Sequence, residues 1–261
     1  MQICEPKVFL LADTQSDFEG TRAYLAEVGA AEWWTDTPSQ AEGLVELAGR
    51  ACYKSYAVGL NPNVTKTRQG NAAYISNIIE SRHGSVLEHA SVSFAFVDVS
   101  RVFTHELERH RVGVGISQES LRYVRMDEYK MWLPSDIAND QIATDIFRRV
   151  AEYIEDAQKE LLEHFKLDEK GTPFSRKKKI TSALRRIAPH GMATVVIWTA
   201  NFRTLRHVIE TRTGPEAEEE IRLVFGKVAA IAKTRWPNVF ADYIVEVVDG
   251  LPWYRTEHSK V

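Results

Sequence analysis

A long stretch of the chain in which apolar residues recur at every third or fourth position constrains the fold most. Its apolar members are Ile142, Ile146, Val150, Ile154, Ala157, Leu161 and Phe165. Because an α-helix completes a turn about every 3.6 residues, this spacing places all of these side chains on one face. The sequence therefore predicts one long amphipathic helix over 142–165.

Shorter patterns on both sides of this helix predict strands that are interleaved with further helices. Strands are predicted over 7–13, 91–97, 192–199 and 243–248. Helices are predicted over 40–52, 71–80, 100–110, 201–212 and 215–233, with a short one ending near residue 187 and loops over 112–115 and 166–174. Because no stretch resembles a linker, we expect an α+β fold in a single domain over 1–261, with long helices and a mixed or antiparallel sheet.

Composition narrows the class of protein. No apolar stretch approaches the ~20 residues of a membrane-spanning helix. The N-terminus lacks the basic region and long apolar core of a secretion signal, so we expect a cytoplasmic protein with no membrane partner. Cys4 and Cys52 are the only cysteines, too few for a disulfide framework or a structural zinc site.

The charge of the chain is unevenly distributed. The chain contains 33 lysines and arginines and 36 aspartates and glutamates, which gives a net charge of −3. Basic residues are nevertheless concentrated in two segments, 101–125 and 176–190, the first of which includes Arg125. An acidic chain with local basic clusters suits small anionic ligands better than nucleic acid, which normally binds a basic domain.

Two features that resemble catalytic motifs are rejected. His105 and His110 flank a glutamate, as in zinc proteases, but they are five residues apart. On a helix this separation rotates them by about 140°, so they cannot share a metal ion, and we expect no metal site. Cysteine is among the most frequently buried residue types, so Cys52 is expected to be inert packing without a catalytic role.

A polar segment that starts at the end of the 100–110 helix predicts an anion site. It begins with Arg109, His110 and Arg111, continues through a glycine-containing loop and ends with the polar run 117–123. The helix dipole favours one or two basic residues at such a helix end, but not a further polar cluster with Arg122 beyond the loop. The planar guanidinium groups suit phosphate or carboxylate.

A second candidate cluster lies on the 201–212 helix. Arg203, His207 and Glu210 fall on one polar stripe, whereas Arg212 lies about 180° from Arg203, among the apolar positions. An arginine there either snorkels from the helix end or is retained for binding, and position alone leaves both alternatives open. Arg185 is a third, isolated candidate. Basic residues are common in the last turn of a helix, so its position alone also fits an ordinary structural role.

Taken together, these residues resemble the signature of the flavin-dependent thymidylate synthase family. That signature is Arg-His-Arg, a spacer and Ser-x-Arg, matched here by 109–111 and 120–122. The resemblance extends upstream to 83–91 and downstream to Arg185, the segment 201–203 and Arg212, in the same order. It implies an α+β homotetramer with active sites built from several subunits. It also implies FAD, reduction by NADPH, and transfer of a methylene group from methylenetetrahydrofolate to C5 of dUMP without a cysteine nucleophile.

The resemblance also implies roles for individual residues. The implied flavin contacts are His83, Ser85, Glu88, Arg109, His110, Arg111, Gln118, Asn201, Arg203 and His207. The implied nucleotide contacts are Glu106, Arg109, Gln118, Glu119, Ser120, Leu121, Arg122, Arg185 and Arg212. Arg212 matches the catalytic arginine that polarises the uracil ring and promotes loss of its N3 proton.

Three departures from the family pattern bear on the substrate. The spacer 112–119 holds eight residues, which is longer than usual, Glu106 replaces a usual glutamine, and Glu216 replaces a frequent flavin-contacting histidine. Relatives of the family methylate UMP in nucleoside-antibiotic pathways, so a UMP C5-methylase is the alternative. A non-catalytic RNA-binding module that uses Arg109, Arg111 and the basic run 176–179 is a more distant alternative, because only Phe174 offers an aromatic platform near that run.

Overall fold

A computed structural model describes residues 1–123 and 128–261 of the chain. Its helices are α1 (Phe18–Glu27), α2 (Gln40–Tyr53), α3 (Asn71–Glu80), α4 (Arg101–Leu107), α5 (Ser135–Ala138), α6 (Gln141–His164), α7 (Phe174–Leu184), α8 (Phe202–Thr213) and α9 (Glu219–Arg235). Short 3₁₀ segments cover Gly84–His89 and Arg185–Ile187. The strands are β1 (Gln2–Ile3), β2 (Lys7–Asp13), β3 (Ser91–Ser100), β4 (Val114–Gln118), β5 (Lys130–Met131), β6 (Ala193–Asn201), β7 (Ile244–Val248) and β8 (Leu251–Arg255).

The largest sheet has the strand order β2-β3-β6-β4. The backbone N–H of Thr14, just after β2, donates to the carbonyl of Ser91, where β3 begins. Likewise, the N–H of Asn201 at the end of β6 donates to the carbonyl of Gly113, just before β4. Ends paired with beginnings mark antiparallel neighbours. β7 and β8 also pair antiparallel, whereas β1 and β5 pair parallel in a separate two-stranded sheet, so the expected combination of helices with antiparallel sheet is present.

The chain divides into two compact units. The first comprises 1–8, 95–109 and 116–197, and the second comprises 9–94, 110–115 and 198–261. In the first unit, Phe96 packs edge-on against Phe103 of α4. In the second, Trp198 packs against Phe225 of α9, and Phe202 packs against Trp236. These aromatic side chains are fully buried, so each unit has its own hydrophobic core. The single domain over 1–261 stays a prediction.

Local sequence explains where the two helices nearest the candidate site begin. Ser100 accepts a hydrogen bond from the N–H of Phe103, and Asn201 accepts one from the N–H of Thr204. Both residues are therefore N-caps, which satisfy backbone donors that the first turn leaves unpaired. The predicted starts of α4 and α8 are confirmed.

Most predicted elements are confirmed, with differences at their ends. The long amphipathic helix is α6, and no helix in the described part of the chain is long and apolar enough to cross a membrane. α4 ends at Leu107 rather than near His110, and β4 occupies part of the predicted glycine loop. α9 starts at Glu219 rather than Pro215, because the carboxylate of Glu218 caps it. The sequence patterns did not predict the helices α1 and α5 or the strands β1, β5 and β8.

One face of α6 is apolar yet exposed. The side chains of Ile142 and Tyr153 are 74% and 76% exposed, and those of Ile146 and Val150 are exposed as well. The opposite face is buried through Thr144, Ala151 and Glu155. Helices normally bury their apolar stripe, so this exposed face is a candidate contact surface.

Candidate functional site

The predicted site residues fall into two groups, one in each compact unit. The second unit holds His83, Ser85, Glu88, His110, Arg111, Asn201, Arg203, His207 and Arg212. The first unit holds Glu106, Arg109, Gln118, Glu119, Ser120, Leu121, Arg122 and Arg185. Most of the implied flavin contacts thus belong to the second unit, and the implied nucleotide contacts other than Arg212 belong to the first.

An ion pair joins α8 to the 3₁₀ segment Gly84–His89 in the second unit. Nη1 of Arg203 lies 2.6 Å from Oε1 of Glu88, and both side chains are nearly half exposed. Nearby, the backbone N–H of Phe202 donates to the carbonyl of Ala90 over 2.9 Å. An exposed ion pair contributes little to stability. The pair nevertheless holds a guanidinium in one place, with part of its surface open to a ligand.

Arg212 and two histidines form the polar centre of this group. The Nε–H of Arg212 donates to Nε2 of His110 over 2.8 Å. The ring of His110 meets the ring of His207 edge-on, with 5.8 Å between centroids. Arg212 is half-buried and makes a directed hydrogen bond, so it does more than snorkel to solvent. Because Nε2 of His110 accepts, that imidazole carries its proton on Nδ1 in this arrangement.

The loop that follows His110 is held tightly against α8. The hydroxyl of Thr204 donates to the carbonyl of Val112 over 2.8 Å. Gly113 has φ of +67°, and a Cβ there would lie 2.4 Å from Nδ2 of Asn201. A Cβ on Gly84 would lie 2.6 Å from the terminal carbonyl carbon of Val261. Both positions therefore need glycine, one for its conformation and both for space.

In the first unit, backbone and side-chain hydrogen bonds fix the segment that contains the Ser-x-Arg motif. Nε2 of Gln118 donates to the hydroxyl of Thr104 on α4 over 3.4 Å, and the N–H of Glu119 donates to the carbonyl of Val195 on β6 over 2.9 Å. The carbonyl of Glu119 accepts from Nη2 of Arg101 over 3.1 Å. The motif thus begins where β4 ends, at the edge of the sheet.

Arg101 is a cation that sequence reasoning did not select. Burial lowers its pKa, the nearby charge of Arg185 lowers it further, and Glu119 and Glu108 oppose both effects. Its Nε is buried and has no hydrogen-bond partner within 1–123 and 128–261. An unpaired buried donor near a second cation is suited to an anionic ligand. The only sequence signal was the basic character of 101–125, of which Arg125 lies outside the described residues.

A cation and two aromatic rings lie directly beyond the motif. Tyr123 follows Arg122 and stacks on Phe174 at the start of α7, and Nζ of Lys178 lies 4.9 Å from the centroid of the Tyr123 ring. Phe174 is therefore not the only aromatic residue beside the basic run 176–179. The remaining motif residues differ in exposure: Arg109 is exposed, whereas Glu106 and Leu121 are half-buried.

Cys52 requires a correction. The expectation that it is buried is wrong, because its side chain is exposed near the end of α2, where the buried face of that helix has already ended at Arg50. Its thiol donates a long hydrogen bond of 3.5 Å to the carbonyl of Ala48.

The histidine rings of His105 and His190 pack edge-on against each other. No group of three potential metal ligands occurs in 1–123 or 128–261.

Comparison with known proteins identifies the family. A family model described as "Thymidylate synthase complementing protein" matches residues 35–238. The flavin-dependent thymidylate synthase of Mycolicibacterium gilvum is 38% identical over 226 residues, which cover 84% of this chain and 86% of the relative. That of Corynebacterium glutamicum is 36% identical over 222 residues, with the same coverage. The chain belongs to the flavin-dependent thymidylate synthase family.

Members of the flavin-dependent thymidylate synthase family are methyltransferases, and the chain shares a fold with a solved relative. The crystal structure of the UMP/dUMP methylase PolB from Streptomyces cacaoi bound with 5-Br dUMP superposes with a TM-score of 0.64. The two chains are 18% identical, and the match covers 92% of this chain and 95% of the other. At this identity the similarity establishes the fold and not the substrate.

Proposed function

We propose that this chain catalyses the FAD-dependent reductive C5-methylation of dUMP to dTMP, with methylenetetrahydrofolate as one-carbon donor and NADPH as reductant. The hydrogen bond between Arg212 and His110 carries the proposal. It links the Arg-His-Arg motif to the arginine expected to act on the uracil ring, although the two are 102 positions apart in the chain. A hydrogen bond that orients one side chain relative to another is typical of a preorganised active site.

The donors of the second unit fit a flavin. Arg203 and Arg111 offer guanidinium groups for a diphosphate, and Ser85, His83 and His207 offer smaller donors for ring nitrogens and oxygens. Gly84 leaves space beside Arg203, since a Cβ there would lie 3.1 Å from its Nε. A bound flavin would supply the two-electron chemistry that converts a methylene group to a methyl group.

The first unit supplies the groups that would hold the nucleotide. Arg185, Arg122 and the hydroxyl of Ser120 are suited to its dianionic phosphate, and the unpaired Nε of Arg101 adds a donor nearby. Arg212 would then stabilise the negative charge that develops on the uracil ring as N3 loses its proton, which makes C5 a better nucleophile. Because we propose sites shared between subunits, the two groups need not belong to one chain.

We propose that the reaction uses no cysteine nucleophile. Cys52 is exposed and its thiol donates to the carbonyl of Ala48 in the preceding helical turn, while Cys4 lies near the carbonyl of Asp98. Cys52→Ser should therefore retain turnover within about twofold of the parent, as for most surface substitutions. Steady-state assays of dUMP methylation test this, with Cys4→Ser as the parallel variant. A loss of turnover on Cys52→Ser that alanine at the same position reproduces would contradict a thiol-free mechanism.

We further propose a cytoplasmic, single-domain protein that assembles as a homotetramer. The exposed apolar face of α6 supports assembly. If the α6 helices of two copies pair antiparallel, centred near residue 148, then Ile146 of one copy lies opposite Val150 of the other. The same pairing brings Arg149 near Asp145 of the second copy, so that apolar and charged positions are both complementary.

The alternative substrate is UMP. The longer spacer 112–119 favours UMP as the substrate. This spacer contains both strand β4 and the loop at Gly113 that is held against α8, so its extra residue changes the shape of that loop. PolB is a UMP/dUMP methylase, which makes the same choice relevant for a protein of this fold. A changed loop near the sugar would admit a 2′-hydroxyl.

The deciding experiment measures flavin and substrate together. Purified protein should show the absorbance of an oxidised flavin, and dUMP and UMP should be assayed side by side with methylenetetrahydrofolate and NADPH. Formation of dTMP that requires both co-substrates supports the proposal. Protein that takes up no added FAD overturns it, and methylation of UMP at a comparable or higher rate assigns the alternative.

A further inference from the structure

Two aromatic rings stack on the surface of the first unit in an exposed position. Tyr123 and Phe174 have ring centroids 6.4 Å apart and an interplanar angle of 16°. Their side chains are 56% and 69% exposed. Large aromatic side chains are usually buried, and a stacked pair left open to solvent offers a flat surface to a planar ligand.

Two cations flank this pair. Nζ of Lys178 lies 4.9 Å from the centroid of the Tyr123 ring, and the guanidinium carbon of Arg122 lies 5.9 Å from it. Hydrogen bonding and charge from Lys178 also lower the pKa of Tyr123. We call Arg122, Tyr123, Phe174 and Lys178 the ring platform.

The positions of the cations around helix α7 indicate whether the ring platform fits a long polyanion or a compact ligand. Lys178 is rotated by about 40° from Phe174, whereas Arg176 is rotated by about 160° and Lys179 by about 140°. Of the four cations in the run 176–179, Lys178 lies nearest the face of the rings and Lys177, rotated by about 60° the other way, comes next, whereas Arg176 and Lys179 lie on the far side. A long polyanion needs a continuous cationic stripe, whereas two cations beside two rings suit a compact ligand.

We propose that the ring platform binds a flat aromatic ring that carries two or more negative charges, as the distal end of a co-substrate. This inference rests on the proposed function, which brings two molecules of this chemistry to the same chain. One is the p-aminobenzoyl-glutamate end of the folate, and the other is the 2′-phosphoadenosine end of NADPH. The ring platform shares Arg122 with the Ser-x-Arg motif, so its ligand lies next to the proposed nucleotide.

The first experiment uses fragments, so that binding is measured without turnover. The probes are p-aminobenzoyl-triglutamate, adenosine 2′,5′-bisphosphate and a twelve-nucleotide single strand, titrated by calorimetry into full-length protein. The variants are Phe174→Ala and Lys178→Gln, with Phe174→Trp as the conservative replacement. Lys179→Gln is the matched control, because it removes the same charge from the same helix on another face.

We expect one fragment to bind, and Phe174→Ala and Lys178→Gln each to raise its dissociation constant about three- to tenfold, as loss of a stacking or cation–π contact does. Phe174→Trp and Lys179→Gln should stay near the parent value. In turnover assays the same variants should raise KM for the corresponding co-substrate and leave KM for dUMP unchanged. The fragment that binds identifies the co-substrate.

Two results would overturn the inference. One is that neither fragment binds, or that Lys179→Gln weakens binding as much as Lys178→Gln. The other is that only the single strand binds, with steep salt dependence, which assigns the basic run to nucleic acid. Either result in protein that is yellow and methylates dUMP leaves the proposed function intact, whereas colourless protein rejects that function independently of the ring platform.

Discussion

Arg212 and His110 are joined by a hydrogen bond in which the arginine Nε–H is the donor and Nε2 of the imidazole is the acceptor, 2.8 Å apart. The guanidinium is planar, so a bond at Nε fixes the direction of the whole group. His207, five residues before Arg212 on α8, packs its ring edge-on against the ring of His110. The predicted catalytic arginine is thus positioned by a residue of the Arg-His-Arg motif.

The first prediction concerns Arg212. Arg212→Ala should lower kcat for dUMP methylation by about 10²–10³-fold, which is the usual cost of removing one preorganised transition-state donor. Flavin content and the thermal midpoint should remain close to those of the parent, because Arg212 is at the end of α8 and not in its buried core. Arg212→Lys should recover little, because lysine has no donor equivalent to Nε.

The matched control for Arg212 is Arg255→Ala. Arg255 also belongs to the second unit, but it is nearly half exposed and pairs with Glu246 between β7 and β8. The Arg255→Ala variant removes the same charge as Arg212→Ala, but from a residue outside the proposed site, so it should leave kcat unchanged. Equal turnover in the parent and Arg212→Ala would remove the proposed role of the guanidinium, and equal losses in both variants would reduce it to a general effect of charge.

The second prediction separates two glycines of one loop. Gly113 has φ of +67° and a Cβ there would overlap Asn201, whereas a Cβ on Gly115 would only touch Thr199 at 3.9 Å. Gly113→Ala should lower the free energy of unfolding by about 2–3 kcal/mol and displace the loop from α8, with loss of flavin. Gly115→Ala should stay within about 0.5 kcal/mol of the parent.

Urea unfolding and the ratio of flavin to protein absorbance check the glycine prediction. Comparable losses in Gly113→Ala and Gly115→Ala would mean that the loop tolerates neither side chain for a reason other than φ and the contact with Asn201. A stable, flavin-loaded Gly113→Ala would show that the loop can move away from α8 without cost.

Sequence patterns predicted the local features of the site well. The caps Ser100 and Asn201, the apolar face of α8 and the long helix α6 depend on residues within a few positions of one another, so periodicity and capping preferences identify them. The expected burial of Cys52 was wrong because a residue type alone does not indicate where the packing of a helix ends.

Features that depend on distant segments were not accessible in the same way. The need for glycine at position 84 arises from Val261, and the pairing of Arg203 with Glu88 spans 115 positions. Neither contact leaves a periodic pattern in the chain. Arg101 was missed because its significance lies in a buried, unpaired Nε and in its closeness to Arg185, which only the tertiary structure reveals.

The third prediction addresses the exposed face of α6. If the proposed homotetramer forms through this face, Val150→Glu places a charge in its middle and should yield a smaller species, measured by light scattering after gel filtration, because burying an unpaired charge in an interface is costly. Since Val150 is exposed within the chain, the thermal midpoint at high dilution should change little. Lys159→Glu, on the polar side of α6, is the control and should remain a tetramer. A tetrameric Val150→Glu would place the interface elsewhere.

The last prediction concerns a buried ion pair under α8. Both terminal nitrogens of Arg206 donate to the carboxylate of Asp242 over 2.8 Å, and Thr256 donates to it as well. Burial by itself would raise the pKa of Asp242, but these hydrogen bonds hold it below its ordinary value. The carboxylate therefore contributes stability above its unfolded pKa of about 3.9, and this contribution is lost as pH falls through the lower folded pKa.

Asp242→Asn should accordingly reduce the free energy of unfolding at pH 7 by about 2–4 kcal/mol, because Arg206 remains buried without a counter-charge. The difference from the parent should shrink at pH 3, below the unfolded pKa of about 3.9, as the parent carboxylate begins to take up its proton. Asp249→Asn is the control: Asp249 faces Arg222 but is largely exposed, so its loss should cost no more than about 0.5 kcal/mol. Urea unfolding at both pH values measures the difference. A gap between Asp242→Asn and the parent that stays constant with pH would show that the pair stabilises the fold by its shape and not by its charge.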